Sequence, residues 1–192
     1  GSSTAHRTVE SPSQDLRQWV VAAHVARKAA AVDVVLEGGF TSGDADPTDG
    51  VQTRGTMHPD HRVGLVMFPE TLAWQTARSA TLMVAPDIAG RSVPGARFHP
   101  TNGGVAGALY LFPHVIARPL PILDLRFGAV MAVATSDVVD PYRFHLLGQV
   151  ASFRGGDPRS RDLGLELDAS IRLRGEIARG VTLRGGLEGG VH

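Results

Sequence analysis

Cysteine is absent from the 192 residues, which excludes disulfides and thiolate metal sites. No apolar run reaches the roughly 18 residues that a membrane-spanning helix requires. The start, Gly1 to His6, has no basic stretch followed by an apolar one, so no secretory leader is visible, and the chain reads as mature or truncated. Neither charge sign is in excess: 19 Lys and Arg face 19 Asp and Glu. That balance argues against nucleic acid as a partner, since such surfaces are basic. Aromatic residues are only 6% of the chain, too few for a full aromatic girdle.

Glycine, by contrast, is plentiful at 23 residues, and it destabilises helix interiors. The length suits one ordinary domain. Residues 1–15 are polar and Ser-rich and read as a disordered tail or the remnant of a loop. From residue 16 onward, six segments alternate apolar and polar residues with period two: about 17–28, 31–41, 105–118, 123–134, 163–173 and 181–191. The fifth is the clearest. Leu163, Leu165, Leu167, Ala169, Ile171 and Leu173 alternate with Gly164, Glu166, Asp168, Ser170 and Arg172.

Segments this long exceed the roughly 5–6 residues of an ordinary strand. They match the about 9–11 residues of a tilted strand in a bilayer. An uncharged face opposite a charged one is the pattern of barrels in lipid. An antiparallel sandwich or lipocalin-like barrel would show the same alternation, with the apolar face as its core. The connections separate the two: short links alternate with long ones at 42–104 and 135–162. Outer-membrane barrels sort their loops by end in this way. The expectation is therefore an all-β, antiparallel up-and-down transmembrane barrel in the bacterial outer membrane, its long loops extracellular. Six strands are fewer than the eight of the smallest such barrels. The chain then reads as part of a larger barrel, or as a barrel completed by other chains.

Within the long loop, Asp44, Asp46 and Asp49 form an acidic cluster that offers oxygen ligands to calcium, without the later Glu of an EF-hand. An Asx-rich turn is the competing reading. Residues 63–68 are apolar, and Pro69-Glu70 precedes a helical pattern over 71–81. So apolar a loop is expected to fold over or into the barrel mouth, with Trp74, Gln75 and Arg78 at a constriction. The stretch Glu37 to Gly50 (EGGFTSGDADPTDG), with His58 to Phe68 (HPDHRVGLVMF) and Leu72 to Arg78 (LAWQTAR), resembles the strand-to-loop signature of alginate-export-like outer-membrane porins. The likeness is best over residues 31–82. It implies a many-stranded barrel that passes an anionic polysaccharide through an Arg-rich lumen, with this chain a C-terminal portion.

The polar strand faces, taken as the lumen, are mixed in sign. Their cations are Arg118, Arg126, Arg172 and Arg184, and their anions Asp33, Glu37, Asp124, Glu166, Asp168 and Glu188. His24 and His114 add positive charge when protonated. Opposite charges on neighbouring strands also pair across a sheet without any ligand. The expected partners are a lipid bilayer, a polar solute or polysaccharide, and further barrel strands or other envelope proteins, with no cofactor besides calcium. Catalysis is not expected. His58, His61 and Asp60, with the Asp cluster, are the candidates for an alternative barrel hydrolase, but no Gly-x-Ser-x-Gly elbow or His-Glu-x-x-His helix is present. The other alternative is a soluble β-sandwich or barrel acting as a binding module.

Overall fold

Residues that alternate with period two place their side chains on opposite faces of an extended chain, and all six alternating segments form strands. The computed structural model describes residues 3–4, 15–46, 51–90, 93, 96, 99–178 and 181–192. The long strands are β1 (Val20–Lys28), β2 (Val32–Thr41), β3 (Ala108–Leu120), β4 (Leu123–Ala134), β5 (Asp162–Ala178) and β6 (Val181–Val191). They form one antiparallel sheet in chain order, β1 to β6. β1 and β6 are its two edges, so the sheet is open and is not a closed barrel. Two-residue pieces make a separate small sheet: Ser3–Thr4 pairs antiparallel with Asp15–Leu16, which pairs in parallel with Val51–Gln52.

The register keeps the two faces chemically distinct across all six strands. Val34, Val115, Phe127 and Ala169 lie side by side on one face. Ile116, Arg126, Ser170 and Glu188 make the corresponding row on the other. Among the described residues, the apolar face carries charge only near strand ends, at Arg27 beside Val34 and Asp162 beside Val133. Its large side chains lie open: Val25 is 73% exposed, Phe127 55% and Leu187 82%. On the opposite face Asp33, His114, Glu166 and Ser170 are buried. Burial thus runs against the usual rule that charge is outside and apolar bulk inside.

Asp33, near the short turns, is enclosed by the Ala29 N–H and Arg118. For Glu166 the cause is the connection between β2 and β3, which lies across one half of the charged face. Met57, Val63, Met67 and Phe68 pack there on Ala108, Tyr110 and Phe112 of β3 and on Val130 and Ala132 of β4. Thr41, at the end of β2, is fully buried and receives the Ala108 N–H on its hydroxyl at 2.8 Å. The expected helix over 71–81 is α1 (Ala73–Val84), entered through a wider turn over Met67–Leu72 that contains Pro69. A short α2 (Pro86–Ala89) follows.

The second long connection holds a helix that the alternation did not suggest, α3 (Pro141–Leu147). Asp140 caps it by accepting the Tyr142 N–H, Pro141 opens it, and Gly148 at φ 64° closes it. Those are the ordinary start and stop signals. α1 packs on α3, and the Ser79 hydroxyl donates to the buried Asp140 carboxylate at 2.6 Å. Pro113 neither ends β3 nor makes a bulge. The ladder to β4 skips Phe112 and Pro113 without changing register, and Pro113 stays opposite Leu36 of β2. Among the described residues, no helix is long and apolar enough to cross a membrane.

Candidate functional site

The charged face divides at about mid-strand. Toward the long connections it is covered by residues 57–68, and toward the short turns it is open.

Two sheet carboxylates hold the cover. Glu166 of β5 is fully buried and accepts three consecutive backbone N–H groups, from Leu65 at 2.5 Å, Val66 at 2.8 Å and Met67 at 2.6 Å. These amides open the turn over Met67–Leu72 and lack partners within it, so a carboxylate satisfies them with charge as well as geometry. Gly64 is needed beside them: its φ is 70°, and a Cβ there would stand 2.7 Å from a Glu166 carboxylate oxygen. Glu37 of β2 makes the second contact. It receives the Tyr110 hydroxyl at 3.0 Å and lies 3.2 Å from His61 Nε2, which is itself 2.9 Å from that hydroxyl. His61 therefore ties the loop to the sheet. His58 lies apart from it, exposed and 3.4 Å from the exposed Asp60. The two histidines share no centre with a third ligand, and no group of three or more metal-ligating side chains occurs among the described residues.

Toward the turns the charges pair. Arg118 of β3 donates to Asp33 of β2 at 2.7 Å and lies 3.6 Å from Asp124 of β4, which Arg174 also approaches at 3.9 Å. Arg172 and Glu188 lie 3.5 Å apart across β5 and β6. Arg184 stands opposite Arg174 in the ladder, two like charges on one rung. These strand cations and anions neutralise one another locally, so the face carries no continuous field of one sign.

Among the described residues, Arg126, Arg184 and Asp168 of the expected path have no ion-pair partner within 4 Å, and the Arg126 guanidinium rests 5.5 Å from the centre of the Phe112 ring. Asp168 shares a hydrogen bond with the neighbouring Glu166 carboxyl, and burial with that neighbour raises its pKa to about 7. Arg126 and Asp168 line a cleft of about 510 Å³ between the loop and β4–β6.

Trp74, Gln75 and Arg78 lie on α1, whose buried side, Thr76, Ser79, Ala80 and Met83, faces away from Trp74. Trp74 is 66% exposed, with Arg78 over its ring at 5.9 Å. The residues that rest on the sheet are instead Met57, Val63, Met67 and Phe68, whose apolar character was visible in sequence although their landing place was not. Asp44 accepts the N–H groups of Asp46 and Thr53, each at 3.2 Å, as in an Asx turn. Asp49 lies outside the described residues.

Under the loop, Arg54 donates to the His99 carbonyl at 2.5 Å. Burial pushes the His99 imidazole well below its ordinary value of 6.5, and the neighbouring Arg54 charge pushes the same way. Burial also brings Arg54 down to about 10.

Comparison with family models, curated proteins and solved structures gives no match to this chain.

Proposed function

We propose that this chain forms part of the wall of an outer-membrane porin or export channel. Its apolar face would meet the bilayer and its charged face would line the path of polar solutes. One observation carries the reading: the apolar face of a six-stranded sheet is exposed while Asp33, His114 and Glu166 of the other face are buried. A contiguous apolar surface of this kind needs a non-aqueous neighbour. Strands of 9 to 17 residues, joined alternately by short and long connections, suit lipid as that neighbour. Arg27, near the short turns, has the long side chain that reaches a membrane boundary from an apolar face.

In this reading β1 and β6 meet further strands, from the same protein or from other envelope proteins, because spanning strands tolerate no free edge in lipid. Residues 57–68 narrow the passage, and the long connections lie outside the cell. The likeness to alginate-export-like porins implies an anionic polysaccharide as cargo, and the paired charges of the open half support polar solutes more broadly.

Trp19 gives a direct test. It lies just before β1 on the apolar side and is 72% exposed, and Trp74→Phe leaves it the sole tryptophan. In vesicles of brominated lipid its fluorescence is expected to be strongly quenched, and the protein to require detergent for purification. A protein that stays monomeric in plain buffer, with unquenched Trp19, would instead be a soluble sandwich or binding module.

A further inference from the structure

The cleft between the loop and β4–β6 holds charges that could neutralise one another and do not. Arg62 and Glu70 stand on the loop side, and Arg126, Asp168, Arg172 and Glu188 on the sheet side. Arg172 and Glu188 pair with each other. Arg62 and Arg126 have no ion-pair partner among the described residues, and Asp168 has only the neighbouring Glu166 carboxyl, with which it shares a hydrogen bond. Two unpaired guanidiniums beside a carboxyl in one cleft suit a ligand that both donates and accepts hydrogen bonds. Rung geometry separates the groups. Asp168 pairs with Gly128 and Gly190, and Arg126 with Ser170, two rungs along on the same face. Gly190 leaves room for the Asp168 carboxyl, since a Cβ there would stand 2.5 Å from one of its oxygens.

The occupant must donate hydrogen bonds to Asp168 and accept them from Arg126 and Arg62 within a few ångströms. Hydroxyl groups on adjacent carbons do both, whereas a carboxylate only accepts. A polyanion would satisfy the guanidiniums and be repelled by Asp168, Glu188 and Glu70. Ser170, buried on the same rung as Arg126, supplies a further neutral partner.

We propose that this cleft is a binding site for a neutral saccharide unit, with Asp168 accepting from its hydroxyls and Arg126 and Arg62 donating to them. The inference rests on taking the charged face as the solute path and adds the class of solute.

The test is calorimetric titration of the folded protein in detergent with maltotriose and, separately, with a trimer of galacturonate. Maltotriose is expected to bind, and the uronate to bind more weakly. Asp168→Asn and Arg126→Ala are each expected to weaken maltotriose about tenfold or more, the loss of one charged hydrogen-bonding partner. Arg62→Ala lies on an exposed loop position and is expected to weaken binding several-fold with the fold intact. Arg159→Ala, far from the cleft, is expected to leave binding unchanged. Tighter binding of the uronate, no binding of either trimer, or maltotriose binding indifferent to all three cleft variants would overturn the proposal. Bilayer recordings of the complete barrel to which this sheet belongs read the channel separately, so binding without conductance would sink the porin reading and leave the saccharide site standing.

Discussion

The two halves of the charged face are built from the same alternating strands, yet they behave as different materials. Toward the long connections, Tyr110, Phe112, Val130 and Glu166 lie under Met57, Val63, Met67 and Phe68 and form a core like that of a water-soluble domain. Toward the short turns, Asp33, Arg118, Asp124 and Arg174 form an ion-pair chain that the loop does not cover. The first half is held by burial and by fixed backbone hydrogen bonds. The second is held by charge pairs that water screens. A single strand, β5, takes part in both, through Glu166 in one and Arg172 and Arg174 in the other. One sheet face can thus carry a rigid stopper and a wet vestibule, with the boundary set by where a loop lands.

The sharpest way to break this contrast is to empty the covered half. Phe68→Ala removes a fully buried ring and is expected to cost about 3–5 kcal/mol. Denaturant titration should show the loss. Next comes Glu166→Leu, which orphans the amides of Leu65, Val66 and Met67; only that of Met67 is fully buried, and its loss is expected to cost about 1–3 kcal/mol. Hydrogen exchange would read it directly: those three amides should lose protection while the amides of β1 and β2 keep theirs.

Gly64→Ala is expected to follow the same course more mildly, at roughly 1–2 kcal/mol for a non-glycine residue in the left-handed region. In the open half, Arg118→Ala removes the closest cation of Asp33 and is expected to lower stability by less than any of the loop variants, read in the same denaturant titration. High salt should weaken that pair and leave the Glu166 contacts almost untouched.

The smallest effect concerns pH. His99 is buried in its neutral form, and its folded value lies below the ordinary 6.5. Above that ordinary value it is neutral in both folded and unfolded chains and contributes nothing to pH dependence. As pH falls through the ordinary histidine range, the unfolded chain takes up the proton first, so stability is lost. His99→Gln should flatten the stability profile between pH 7 and 5. An unchanged profile would assign the acid sensitivity to other groups.

Much of the sheet was legible because alternation is local: a residue's face follows from its neighbours two positions away. That is why β2 and β4 appear with nearly their sequence bounds, and why the charged residues named from sequence share a face. Strand ends were less legible, since β1 begins only at Val20 and β3 runs on through Pro119 to Leu120. α3 was missed although Asp140, Pro141 and Gly148 bracket it, because a seven-residue helix inside a loop has too little periodicity to notice. Which charged residues face open space and which face the loop was not legible at all. Glu166 and Asp168 look alike in sequence, two positions apart on the same face. Only the landing of residues 65–67 makes the first a buried acceptor and leaves the second in a cleft.

That landing also has a consequence in time. Glu166 lies 99 to 101 residues beyond the amides that it receives. A chain emerging from its amino end exposes the apolar run of 63–68 long before its receptor exists. The final closure must bridge a wide loop, which is entropically slow and arrives late in assembly. During that interval the segment is the chain's most adhesive portion, and whatever escorts the nascent protein has this stretch to shield first.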